Sequence, residues 1–144
     1  MQSDTSIRTV IEKIAQLPKI DERSVGALFN TRLEAMNDPG NPFINIFIGL
    51  APEESIVENL ELRVPKDGGG DKALLILTMK PERRYAISQL RPHLGVPSRV
   101  EQPRAAQPLG TPTYEIFDYA GGLLSVGYLP AEGDRISKVI FERK

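Results

Sequence analysis

The chain has 144 residues, with 18 Lys and Arg against 19 Asp and Glu, and a formal net charge of −1 argues against a dedicated nucleic-acid binder. At 40% hydrophobic residues this length suits one core, read here as a single α+β domain over residues 1–144. Zero cysteines and a lone histidine, His93, exclude disulfides, thiolate metal sites and any site needing two imidazoles, and no apolar run approaches the roughly 20 residues of a membrane span.

Ile7, Val10, Ile11, Ile14 and Leu17 recur at helical spacing behind the cap formers Ser3 and Asp4, which predicts an amphipathic helix over 5–17 closed by Pro18. Residues 21–36 carry Val25, Leu28, Phe29, Leu33 and Met36 at spacings of three to five, but Gly26 and Asn30 weaken the pattern. They read as an irregular helix leading towards strand. Asn, Asp, Pro and Gly fill 37–42, the clearest turn signal in the chain.

The period then changes to two. Residues 43–50 alternate Ile44, Ile46 and Ile48 against Phe43, Asn45 and Phe47, and 57–64 alternate Leu60, Leu62 and Val64 against Asn59, Glu61 and Arg63. A glycine-rich loop, 68–70, precedes 73–79, which is apolar on both faces as a covered central strand would be. These predict a three-stranded meander. Pro81, then Tyr85, Ala86, Ile87, Leu90 and Leu94, predict a second main helix over 82–94, bent or ended by Pro92 and stopped at Gly95. Four prolines and Gly110 break 95–112 into a long loop. Strands follow at 113–119, 123–129 and 136–142, with Gly-containing turns between them. The expected fold is α+β: an antiparallel sheet of five to six strands with two main helices packed on one face. Ile11, Ile14, Ile46, Leu62, Leu75, Ile76, Ile87, Leu90, Val126 and Ile140 are its expected core. One constant shift along the sequence lays Val10, Ile11 and Ile14 over Ala86, Ile87 and Leu90, the trace an internal duplication would leave.

Catalytic chemistry has little to stand on. His93 reads as a helix C-terminal residue near the negative end of the dipole. Glu115 and Asp118, three apart on a strand, point to opposite faces and do not form a glycosidase-type pair. The 68–70 glycines lead into a strand, whereas a phosphate loop opens a helix. No catalytic residue, metal site or cofactor is expected. Charge is uneven, however: residues 80–104 hold Lys80, Arg83, Arg84, Arg91, Arg99 and Arg104 against Glu82 and Glu101. A basic segment on a near-neutral chain steers acidic partners, although a solvated face is its ordinary meaning. Phe43, Phe47, Tyr114 and Tyr128 supply aromatic surface of the kind protein partners use, unless the proline loop covers it. Arg83, Arg84, Arg91 and these four aromatics are the expected partner-binding residues.

The segment ISQLRPHLGVPSRVE, whose helix ends in Leu94-Gly95-Val96-Pro97, and the closing YEIFDYAGGLLSVGYLPAEGDRISKVIFERK resemble small bacterial modules with the β-lactamase-inhibitor-protein fold, and toxin and bacteriocin immunity proteins, across residues 86–142. The resemblance implies a non-enzymatic module that presents a sheet face or loops to a protein partner, and it transfers no functional residue. Type III secretion chaperones share the element order and are the alternative, together with small periplasmic assembly factors. The opening MQSDTS lacks the basic region, apolar core and cleavage site of a signal peptide. By the same resemblance the expected compartment is the bacterial periplasm, with the cytoplasm as the alternative.

Overall fold

A computed structural model describes residues 7–36, 43–66, 72–108 and 110–143; Ser3, Asp4, the 37–42 turn and the 68–70 loop lie outside the described residues. Helix α1 (Ile7–Ala15) buries Ile7, Ile11 and Ile14 along one stripe and pairs Arg8 with Glu12 on its solvent side at 3.0 Å. Helix α2 (Glu22–Phe29) starts where the Asp21 carboxylate accepts the Ser24 N–H at 2.8 Å, and ends at Asn30, which takes the left-handed conformation at φ 51°.

Eight antiparallel strands form one sheet: β1 (Glu34–Met36), β2 (Ile44–Leu50), β3 (Val57–Pro65), β4 (Leu74–Met79), β5 (Arg99–Glu101), β6 (Thr113–Tyr119), β7 (Gly122–Leu129) and β8 (Arg135–Arg143). Their spatial order is β1-β2-β3-β4-β8-β7-β6-β5. The six strands expected from alternation, apolar runs and turn signals are present. The expected count of five to six is nonetheless corrected to eight, because β1 and β5 are also paired. Each is a three-residue edge strand, too short to show a period, and β5 sits between Pro97 and Pro103.

The second main helix is also corrected. Residues 81–94 form two short 3₁₀ turns, Pro81–Arg83 and Ile87–Gln89, and a four-residue helix α3 (Arg91–Leu94). Pro92 has no N–H to continue a helical ladder, and the segment gives its backbone to β8 instead. The Ile87 N–H donates to the Asp134 carbonyl at 3.0 Å, and the Ile136 N–H donates to the Tyr85 carbonyl at 2.7 Å. Ile87 and Leu90 are buried all the same. Apolar spacing identified the buried positions here, while proline and strand pairing decided the backbone.

All this cover lies on one side of the sheet. A single core cluster joins Ile7, Ile11 and Ile14 of α1, Val25 and Phe29 of α2, Ile87 and Leu90, and the inward residues of the strands, among them Leu62, Leu77, Val126 and Phe141. The strand order reads the same from either edge when β1–β4 are exchanged with β5–β8. One constant shift along the chain carries the register pair Leu60↔Leu77 onto Leu124↔Phe141, and Leu62↔Leu75 onto Val126↔Val139. Ile76 and Ile140, related by that same shift, face each other where β4 meets β8. The inner strands of the two halves are therefore related by a pseudo-two-fold axis at that seam. The helical segments match only at a longer shift and do not follow the strands' spacing.

Candidate functional site: the helix-free face of the sheet

Side chains alternate along each strand, so half of the sheet's residues face away from the helices. One row of register partners crosses all eight strands on that side, running Glu34, Ile48, Glu61, Ile76, Ile140, Ser125, Ile116 and Arg99. Ile46, Leu74, Ile76, Ile140 and Leu123 are half-buried in the middle of this face without a helix over them. Nearby, Arg63 pairs with Glu61 at 2.6 Å and Arg99 with Glu101 at 3.0 Å, and Lys138 and Glu142 flank Ile140 on the same face. The result is an apolar centre rimmed by charge, part of it paired. The expected core therefore needs correcting at Ile46, Ile76 and Ile140, which lie on this open face. On β2 both faces carry large apolar side chains, and it is Phe47 that packs against the core.

The expected partner-binding residues are not brought together. Phe47 and Tyr128 lie on the helix side, where Tyr128 is 9% exposed; Phe43, just before β2, is 76% exposed. Tyr114 is on the open face, its ring against Gly127, where a Cβ would come within 2.7 Å of the ring and 3.1 Å of Pro112. Pro112 thus covers part of this face at β6 and β7, and burial holds the Tyr114 hydroxyl above its usual titration range.

The three arginines bind the chain's own acceptors. Arg83 donates to the Glu54 carbonyl at 2.8 Å, and Arg84 donates to Glu132 at 3.3 Å. Arg91 grips Glu115 with two hydrogen bonds, of 2.6 and 3.2 Å, and lies 5.9 Å from the centroid of the Tyr128 ring. Glu115 is 5% exposed, so this is a lock between α3 and β6 on the helix side. The hydrogen bond to Glu115 pushes Arg91 up from its ordinary value; burial, then the Glu115 charge, pushes Tyr128 up.

Asp118 faces the opposite side from Glu115, as their spacing requires, and His93 is exposed in α3. Among the described residues no group of three or more His, Asp or Glu side chains is placed to hold a metal ion, and no helix is long and apolar enough to cross a membrane. What sequence reasoning missed is the isoleucine face itself. Its signal was in the chain, in the 43–50 alternation and in the two-sided apolar run 73–79, but alternation does not say which set meets the helices: it is Phe47, expected at the surface, that faces the core, and Ile46, expected in the core, that lies on the open face. No protein-family model, curated protein or solved structure matches the chain.

Proposed function

We propose that this chain is a non-enzymatic protein-binding module of the toxin-neutralising kind, and that it receives its partner on the helix-free face. The observation that carries the reading is the isoleucine centre. Ile76 and Ile140 face each other across the seam, half-buried, in the middle of an eight-stranded sheet. A partner covering them removes apolar surface from water, and the ion pairs on β3 and β5 reduce the number of lone charges it has to desolvate. The toxin-neutralising class is supported by the resemblance to immunity and inhibitor modules: α3 stops at Gly95, which has φ 81°, before Pro97 and the closing antiparallel strands. The basic stretch 80–104 supports the reading less than its charge suggests, because Arg83, Arg84 and Arg91 are held by acceptors of this chain.

The test places a photo-crosslinking side chain at Glu61 or Ser125 on the open face, and at Gln16 or Arg23 on the helix side, in the organism that makes the chain. The open-face positions should give one dominant adduct, containing a toxin whose growth arrest is relieved by this chain. Equal adducts from both sides, or a captured protein that the chain does not neutralise, would overturn the proposal. A secretion effector in the adduct would replace it with the chaperone reading.

A further inference from the structure

The pseudo-symmetry supplies an internal control for one corner of the open face. Ile48 and Ile116 hold corresponding places, each between a three-residue edge strand and an inner strand of its half. Ile48 is 37% exposed and Ile116 only 5%. The connection from β5 to β6 is longer than that from β1 to β2, and it brings Pro112 onto the face at Gly127. At the other corner Leu50 is 72% and Met36 49% exposed, so three of the six exposed large hydrophobics among the described residues stand together. They line a groove of about 540 Å³ that also includes Arg32 and Glu34.

The same corner ends in a free sheet edge. β1 is the outermost strand, and its far side is unpaired among the described residues. Leu33 is buried, with a side-chain atom 2.5 Å from where a Cβ on Gly49 would stand, which leaves the alternate positions Arg32, Glu34 and Met36 facing away from the helices. Unpaired N–H and C=O groups beside exposed apolar side chains are what an added strand needs.

We propose that this corner seats an extended segment of a partner protein, laid along β1 as a ninth strand, with acidic, basic and apolar side chains opposite Arg32, Glu34 and Met36. The proposal rests on the protein-binding reading of the face. Cross-strand charge pairs set the register, the apolar contact with Met36 and with Ile46 and Ile48 behind β1 supplies most of the affinity, and Leu50 stands beside Arg32 where the acidic side chain seats, so that a carboxylate at position 50 would repel it. A three-residue edge offers too few backbone groups for indiscriminate pairing, so the charge order carries the selectivity.

Panning a phage-displayed library of random linear dodecapeptides on the chain tests this. Enriched sequences should show an acidic, a basic and an apolar residue at alternate positions, in either chain direction. Their binding should weaken on the order of tenfold or more in Leu50→Glu and in Met36→Glu and hold in Glu101→Ala at the opposite edge, with thermal unfolding confirming that each variant is folded. No consensus, or a consensus whose binding survives both corner variants, overturns the proposal. So does a concentration-dependent dimer in sedimentation that Leu50→Glu abolishes, since that would make a second copy the occupant. The peptides report on the corner without the natural partner, so failure here leaves the crosslinking at Glu61 standing, and the reverse also holds.

Discussion

The two halves of the sheet pair their inner strands in the same register, but their shared roof is of two kinds. One part is two true helices, which bury Ile7, Ile11, Ile14, Val25 and Phe29, and α1 reaches β8, where the Arg143 guanidinium donates to the Ala15 carbonyl at 3.4 Å. The other part is a strap of turns that buries Ile87 and Leu90, zipped to β8 through backbone hydrogen bonds and locked to β6 by Arg91 and Glu115. Strand pairing thus tolerates two kinds of cover, one held by an amphipathic stripe and the other by polar bonds. The two should fail in different ways.

The largest effects are expected where each roof enters the core. Ile14→Ala and Ile87→Ala should each lower stability by about 2–5 kcal/mol in chemical denaturation, since both side chains are fully buried. A much smaller loss for Ile87→Ala would show that the strap yields into the space where a helix cannot. Next comes the lock. Arg91→Ala strands a buried carboxylate, a change that costs roughly 3–5 kcal/mol for a fully buried pair; because Arg91 is 43% exposed, about 2 kcal/mol is expected after solvent screening. Adding Glu115→Gln should restore most of that loss, and a double-mutant cycle measures it. No recovery would mean that Arg91 acts through its contact with Tyr128.

A smaller effect sharpens the helical part of the roof. Asp21→Ala removes the cap of α2 and should cost about 1 kcal/mol. The Ser24 hydrogen bonds hold the Asp21 carboxyl below its usual value. Its contribution is therefore present above the ordinary carboxylate pKa and is lost as pH falls through the lowered, folded-state value. Acid titration of the wild type against Asp21→Ala reads this directly, the two stabilities converging at low pH. Smallest of all, Leu50→Glu should change stability by no more than about 0.5 kcal/mol, because the side chain meets mostly water.

Much of this was legible in the chain. Ile7, Ile11 and Ile14 mark α1, and alternation, an apolar run and the turns between mark the six long strands, because such patterns integrate over many residues. They fail over three residues, which is why Glu34–Met36 and Arg99–Glu101 went unseen. They also cannot say which side of a doubly apolar strand meets a helix, and so Ile46, Ile76 and Ile140 were assigned to the wrong face. Arg83, Arg84 and Arg91 were visible as charge. Their acceptors lie far away in sequence, at a separation no local pattern spans.

The seam at Ile76 and Ile140 also orders events in time. Within each half every strand pairs with its neighbour in sequence, so both meanders can form from local hairpins. Only β4 and β8 must find each other across the strap and three intervening strands, and they are the central strands. Closing that loop is the slow, non-local step. Until β8 is synthesised and docks, β4 presents an apolar, unpaired edge, which makes the interval before seam closure the period when this chain is most exposed to aggregation.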